Sequence, residues 1–212
     1  MTFGGAGNDI INDQVEVHEL FPTPLYVVTL SSIKDEYQDE LKSIKRGNNV
    51  GNTISEDKQI LNMKCFSRLK FEINRHLKNY YELIHKPKDK LEPYITQSWI
   101  NWTGDNQFHH QHAHQNSLVS GVFYIDVEKT DSIVFNQDTY KSIQIDTDNP
   151  NCFNSMKYTL PLQKNDLVLF PSSLIHGVND RITSDNERIS LSFNTFIRGT
   201  VGSKEHATEL IL

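Results

Sequence analysis

The sequence predicts a mainly β fold, in which an antiparallel double sheet is buttressed by helices that precede it in the chain. Two observations lead to this prediction. The chain before Pro93 contains two segments with apolar residues at helical spacing, and the chain after it contains seven or eight short segments that alternate apolar and polar residues. Helices followed by a run of short strands favour a packed double sheet over alternating βαβ units.

The N-terminal part begins with a segment, residues 1–14, that is rich in Gly, Asn and Asp and is predicted to be flexible. A strand is predicted from Leu25 to Leu30, after a turn that contains two prolines. Ser31 or Ser32 is the predicted N-cap of a first helix. The next segment, GNNVGNTIS at residues 47–55, is predicted to be a mobile, turn-rich loop.

Each of the two helices is predicted from its own apolar stripe, with residues at steps of three and four. The second stripe is the longer one, and Pro87 closes its helix because proline cannot continue the hydrogen-bonded ladder. The first stripe contains Ile33, Tyr37, Leu41 and Ile44, and the second contains Phe66, Leu69, Ile73, Leu77, Tyr80 and Ile84.

The β part is predicted from short alternating segments that are separated by Asp, Asn, Pro and Gly turns. A polar, turn-rich stretch at residues 136–155 is either a loop over a cleft or a solvated surface excursion. The predicted strand sequences are YITQSWINW, SGVFYIDV, DSIVF, KSIQI, KYTLPL, DLVLF and RISLSFNTF.

Composition and length bound the class of protein. The chain has 212 residues and no internal repeat, so we expect a single domain over 1–212, with a helical part at 15–95 and a β core at 96–200. A net charge of −6 without a dense Lys/Arg run disfavours nucleic acid as a partner. Two cysteines without a CxxC pair, no apolar stretch of spanning length and no signal-peptide pattern indicate a cytoplasmic protein, in the host cytoplasm if the protein is viral.

A histidine cluster is the strongest chemical signal in the sequence. QFHHQHAHQNS places four of the nine histidines in six consecutive positions, and a His-rich tract is typical of metal binding. Residues two apart on a strand point the same way, so His110, His112 and His114 can share a face, and any adjacent pair could chelate one ion. His109 would point away unless the chain bends. His176, in DLVLFPSSLIHGV, is the candidate for a third ligand.

The last predicted strand, RISLSFN, carries a polar face that needs a reason to lie inside a double sheet. Arg188 and Ser190 share this face with Ser192 and Asn194, whereas the intervening residues are apolar. A buried guanidinium without a partner is costly. A dicarboxylate ligand would supply the partner, because Arg binds a carboxylate with a bidentate fork and Ser adds a hydroxyl donor.

Three motifs in this order, the histidine pair His112 and His114, the segment DLVLFPSSLIHGV with His176, and RISLSFN, resemble those of the Fe(II)/2-oxoglutarate-dependent oxygenase superfamily. More narrowly, they resemble a branch of oxygenases found in bacteria and phages. The resemblance covers roughly Trp99 to Phe196. It implies a distorted double-stranded β-helix, or cupin-like jelly roll, with the N-terminal helices packed on one sheet. It also implies oxidative decarboxylation of 2-oxoglutarate to succinate and CO2, coupled to hydroxylation of a prime substrate. Such a substrate would be a protein side chain or a small molecule.

The resemblance also implies site roles, which are carried over only at matching positions. His112, His114 and His176 would ligate Fe(II), and Arg188 with Ser190 would bind the distal carboxylate of 2-oxoglutarate. Weaker candidates for lining the cosubstrate pocket, chosen as polar positions on presumed inner faces, are Asn101, Tyr124 and Asn194.

One departure from the superfamily pattern leaves alternatives open. The usual first pair is HxD or HxE, whereas His114 stands at the position of the acid. Three histidines also suit zinc, and nickel is a further substitute for iron. Asp105 or Asp126 could bring a carboxylate from nearby. The rival functions are a cupin-like metal binder without 2-oxoglutarate turnover and a degenerate structural jelly roll. An exposed sheet edge would allow a homodimer.

Overall fold

The computed structural model describes residues 14–34, 37–137, 143, 145–179 and 186–212. Two α-helices lie in the N-terminal part, α1 (Gln38–Ser43) and α2 (Ser67–Tyr80), and α2 continues into a π-helical turn at Tyr81–His85. Short 3-10 turns precede α2 at Ile60–Asn62 and Lys64–Phe66. The strands are β1 (Tyr26–Thr29), β2 (Arg46–Asn48), β3 (Thr53–Ser55), β4 (Glu92–Thr103), β5 (His109–His112), β6 (Val119–Asp126), β7 (Ser132–Asn136), β8 (Lys157–Pro161), β9 (Asp166–Pro171), β10 (Ile175–Val178), β11 (Arg188–Arg198), β12 (Thr200–Val201) and β13 (Leu210–Ile211).

The strands form two principal antiparallel sheets, which confirms the predicted double sheet. The major sheet has seven strands in the order β1-β9-β6-β11-β4-β3-β2. The minor sheet has four strands in the order β5-β10-β7-β8, and β12 with β13 forms a separate hairpin. Neighbours in each sheet are mostly distant in sequence, so the chain crosses repeatedly between the sheets, as a double-stranded β-helix requires.

Alternation along the central strands divides the apolar residues between two cores. On β9, Leu167 and Leu169 belong to a core that also contains the apolar stripe of α2, whereas Val168 and Phe170 belong to a second core. The second core includes Phe135 of the minor sheet, so it lies between the sheets. The major sheet is therefore buried on both faces, with helices outside and the minor sheet inside.

The prediction for α2 is confirmed. Its stripe residues Leu69, Ile73 and Leu77 are buried against the outer face of the major sheet. After the π-helical turn, Lys86 adopts a left-handed conformation with φ of 45°, which ends the helical run immediately before Pro87.

The first predicted helix is much shorter than its apolar stripe. Only Gln38–Ser43 is helical, and Ile44 is extended with ψ of 122°; residues 35 and 36 lie outside the described part. Tertiary packing explains the stripe, because Ile33, Tyr37 and Leu41 are all buried and the Tyr37 ring stacks on Phe66 at 5.1 Å. Burial of these residues therefore does not need a continuous helix.

The prediction of a loop at residues 47–55 is wrong for most of this segment. Residues 46–48 and 53–55 form the hairpin β2–β3, which adds to the edge of the major sheet through Ile54 opposite Asn101. The free N–H and C=O groups of β4 supply hydrogen-bond partners that no local sequence pattern reveals. The segment 15–95 is thus less helical than predicted, since it also contributes three strands and the start of β4.

The remaining strand predictions are confirmed except for one. In KSIQI, residues 141, 142 and 144 lie outside the described part, and Ile143 and Ile145 are not in strands. Most of the predicted flexible terminus, residues 1–13, also lies outside it. The prediction of a single domain stays a prediction. Within the described ranges, no helix is both long enough and apolar enough to cross a membrane.

Candidate metal centre

Antiparallel pairing of β5 with β10 brings the predicted histidines together. His112 is the register partner of His176, and their ring centroids are 4.5 Å apart. His114 follows β5, where its backbone N–H donates to the Ser172 carbonyl at 2.8 Å. The potential ligand atoms of His112, His114 and His176 all lie within 4.8 Å of one another. We refer to these three residues as the inner triad.

Hydrogen bonds to backbone carbonyls orient two of the three rings. Nδ1 of His112 lies 2.8 Å from the His110 carbonyl oxygen, and Nδ1 of His176 lies 2.9 Å from that of Leu174. A carbonyl only accepts, so Nδ1 carries the proton in both rings and Nε2 keeps a free lone pair. Such second contacts fix both the tautomer and the direction of a metal ligand.

Burial keeps the inner triad neutral at pH 7. It lowers the pKa of His176 to about 3. The neighbouring His112 and His114 lower this pKa further, whereas the hydrogen bond to the Leu174 carbonyl raises it. Burial lowers the pKa of His114 to about 4, and it also lowers that of His112. Phe170 packs on the His176 ring at 4.5 Å from the side of the second core. Neutral imidazoles are the form that binds metal, so no proton has to leave before an ion enters.

The donor set is purely imidazole. Among the described residues, neither Asp105 nor Asp126 joins a group of potential metal ligands. Three converging nitrogens without a carboxylate fit Fe(II), Ni(II) and Zn(II), which all accept imidazole.

A cavity extends from the inner triad to the polar face of β11. Arg188 lines it and is only 2% exposed, and its Nη2 donates to Thr103 Oγ1 at 3.3 Å. Ser190, two residues along, also lines the cavity and is buried. The predicted alternation of this strand is observed, because Leu191 and Phe193 face the helix-side core instead.

Strand register explains why Asn101 and Tyr124 share this cavity. Ser190 pairs with Asn101 of β4 on one side and with Tyr124 of β6 on the other, so the three side chains leave the sheet on one face. Asn101 Nδ2 donates to Ser192 Oγ at 2.9 Å, and its buried Oδ1 accepts no hydrogen bond from the residues that the structure describes. Burial raises the pKa of Tyr124, and the charge of Arg188 partly opposes this rise.

Asn194, the fifth predicted cosubstrate contact, is not among the residues that line the cavity. Its Oδ1 accepts a hydrogen bond from Ser120 Oγ at 2.9 Å, and that hydroxyl lies 2.8 Å from Ser172 Oγ. The side chain therefore belongs to a buried hydroxyl network beside the cavity.

Sequence reasoning missed His109 and Trp99, which both line the cavity. Between the pairs His176 with His112 and Val178 with His109, β5 has one residue more than β10, so a β-bulge interrupts the alternation. The bulge turns His109 inward until its ring stacks on His112 at 4.7 Å. The only available signal was the unusual density of histidines, because bulges have no reliable sequence pattern.

The double-stranded β-helix with its inner triad defines a jelly-roll protein with a candidate metal centre. Residues 97–194 match the family model described as "Putative 2OG-Fe(II) oxygenase". This range contains the inner triad, Arg188 and Ser190. This match confirms the predicted resemblance to the Fe(II)/2-oxoglutarate-dependent oxygenases and the predicted enzyme class, an oxidoreductase.

Solved structures share the fold at low sequence identity. HygX from Streptomyces hygroscopicus, solved with nickel, 2-oxoglutarate and hygromycin B bound, is 13% identical with a TM-score of 0.57, and the match covers 82% of each chain. A prolyl-4-hydroxylase from Pseudomonas putida is 12% identical with a TM-score of 0.54, covering 84% of this chain and 94% of that one. The epimerase SnoN from nogalamycin biosynthesis is 12% identical with a TM-score of 0.59, covering 82% and 76%. No curated protein matches the chain by sequence.

Proposed function

We propose that the protein is an Fe(II)- and 2-oxoglutarate-dependent dioxygenase that hydroxylates a protein side chain or a small molecule. The observation that carries this proposal is one cavity that joins three converging neutral histidines to a buried arginine. A metal ion alone does not need the arginine, and a carboxylate ligand alone does not need the histidines.

In this proposal, His112, His114 and His176 hold Fe(II). Bound iron, with 2-oxoglutarate and O2, would supply the oxidising chemistry. One oxygen atom of O2 would enter succinate as CO2 is released from the cosubstrate, and the other would enter the prime substrate as its hydroxyl group. Hydrogen bonds from Nδ1 of His112 and His176 to backbone carbonyls hold the two rings in place before any ion arrives. Less side-chain entropy is therefore lost when the metal binds.

Arg188 and Ser190 bind the distal carboxylate of 2-oxoglutarate. The guanidinium is removed from water, so a charge-assisted hydrogen bond to a carboxylate is stronger here than at the surface. Asn101 and Tyr124 flank Ser190 in register and complete the polar wall around the cosubstrate. Asn194 is not part of this proposed contact set, because it does not reach the cavity.

The prime substrate is identified only by class. A net charge of −6 disfavours a nucleic acid, which leaves protein side chains and small molecules. Homodimerisation and a cytoplasmic location, in the host if the protein is viral, stay predictions.

An anaerobic titration tests the proposal. Metal-free protein is loaded with Fe(II), then 2-oxoglutarate is added, and the weak visible metal-to-ligand band of the chelated complex is followed. We expect the band in the wild type, its loss in His176→Ala and a strong reduction in Arg188→Ala. His206→Ala, at an exposed position outside the cavity, is the matched control and should keep the band.

A second candidate is a three-histidine metal protein, with zinc or iron, that does not turn over 2-oxoglutarate. It is favoured by the absence of a carboxylate from the metal-ligand groups of the described residues. Tight metal binding without a band on addition of 2-oxoglutarate would support this candidate and contradict the dioxygenase proposal.

A further inference from the structure

A second histidine triad lies on β5, beside the inner triad. The potential ligand atoms of His109, His110 and His112 also lie within 4.8 Å of one another. The ring centroids of His110 and His112 are 4.8 Å apart, and those of His109 and His110 are 5.4 Å apart. We refer to these three residues as the outer triad; it has no role in the proposed dioxygenase function beyond the shared His112.

The β-bulge creates the outer triad. On a regular strand, His109 and His110 would point to opposite faces, and their nitrogens would be too far apart to meet at one ion. The extra residue in β5 brings His109 to the side of His112 instead. Close approach of β10 maintains this conformation, since a Cβ at Gly177 would lie 2.9 Å from the His109 carbonyl oxygen.

His110 supplies an independent sign of a ligand. Its Nδ1 is buried, and no residue of the described ranges makes a hydrogen bond to it. A buried imidazole nitrogen without a partner destabilises the fold, because it has lost its hydrogen bond to water and gained none. An ion held by the outer triad would give this nitrogen a partner.

We propose that the outer triad is a second metal site, which binds a borderline divalent cation such as Zn(II), Ni(II) or Cu(II). These ions prefer imidazole, and affinity in such sites rises from nickel to copper. The inner site is the stronger of the two, because backbone carbonyls orient two of its rings, those of His112 and His176, whereas the outer triad shares only the first of these.

The two sites exclude each other because they share His112. Nδ1 of that ring donates its proton to the His110 carbonyl, so only Nε2 can act as a ligand. A single lone pair serves one ion at a time. Wild-type protein therefore binds one ion per chain, at the inner site when both are available.

Equilibrium dialysis with Zn(II), followed by elemental analysis, tests this proposal without 2-oxoglutarate, so failure of the dioxygenase proposal leaves the result interpretable. The inner triad is disabled by His114→Ala with His176→Ala, and His109→Ala is then added to disable the outer triad. We expect one ion per chain in the double variant and an affinity at least about tenfold lower in the triple variant. The exposed control His206→Ala should change wild-type affinity less than threefold.

A milder pair keeps the test decisive if the double variant does not fold. His176→Gln retains a polar side chain of similar reach, and it is compared with and without His109→Ala. Retained binding that falls at least about tenfold on adding His109→Ala supports the outer site. Zn(II) affinity that is equal with and without His109→Ala, in every one of these two backgrounds that folds, overturns the proposal of an outer site.

Discussion

Replacement of Arg188 by methionine tests the cosubstrate pocket most directly. The side chain keeps a similar length but loses the charge and the hydrogen-bond donors. Arg188 is 2% exposed, so its pairing with a carboxylate takes place out of water. Truncating one partner of a buried, hydrogen-bonded charge pair costs about 2–5 kcal/mol. At 1.4 kcal/mol per factor of ten, the dissociation constant of 2-oxoglutarate should rise about 30- to 4,000-fold.

The assay compares two ligands in wild type and Arg188→Met, each titrated anaerobically into the metal-loaded protein. Pyruvate has the 2-oxo acid group that would chelate the metal, but it lacks the distal carboxylate. The substitution should therefore weaken the binding of 2-oxoglutarate strongly. The dissociation constant of pyruvate should stay within about threefold of the wild-type value, because pyruvate has no carboxylate that contacts the guanidinium. Arg198→Met, at the exposed end of the same strand, is the control. Equal losses for both ligands would refute the assignment, since they would indicate general damage to the site.

Three further predictions concern stability. Gly121→Ala should destabilise the fold by about 1–3 kcal/mol, because the new Cβ would lie 2.2 Å from Phe193 Cζ in a fully packed core. Stability should also fall as pH rises from 10 to 12, by up to about 1.4 kcal/mol per pH unit for each of two tyrosines. Burial raises the pKa of both Tyr80 and Tyr81 to about 12, so the unfolded chain loses these protons first. Ni(II) at about 100 times its dissociation constant should add about 2.7 kcal/mol to wild-type stability and nothing to His112→Gln, which lacks a ligand of both triads.

Chemical denaturation measures all three effects, each with its own control. Gly104→Ala should be nearly neutral, since the nearest atom to its Cβ is a flexible glutamine oxygen at 3.6 Å. Tyr81→Phe should reduce the alkaline loss, and an unchanged pH profile in that variant would contradict the assignment to buried phenols. Equal stabilisation of His112→Gln by nickel would show that the ion binds elsewhere.

The site residues were predictable to different degrees. The alternation of RISLSFN placed Arg188 and Ser190 on a polar face, and the structure has both in the cavity wall. The same alternation suggested that Asn194 would join them, but Asn194 lies opposite Ser120 of β6 and is not among the residues that line the cavity. The side chain bonds to Ser120 instead.

Local patterns also failed where a neighbouring strand decided the conformation. The hairpin β2–β3 looks like a loop because the segment 47–55 is rich in Gly and Asn, and the edge of β4 makes it a strand pair. The first helix was overestimated for the opposite reason, because its apolar residues are buried without a continuous helix.

The sequence by itself determined the double sheet, the long second helix and the identity of the candidate ligands, because these depend on periodicity and residue type, which are local. Only the tertiary structure decided that His176 lies opposite His112, since strand pairing joins segments that are distant in the chain. It also decided that His109 points inward. A bulge depends on the fit between two strands, and neither strand encodes that fit alone.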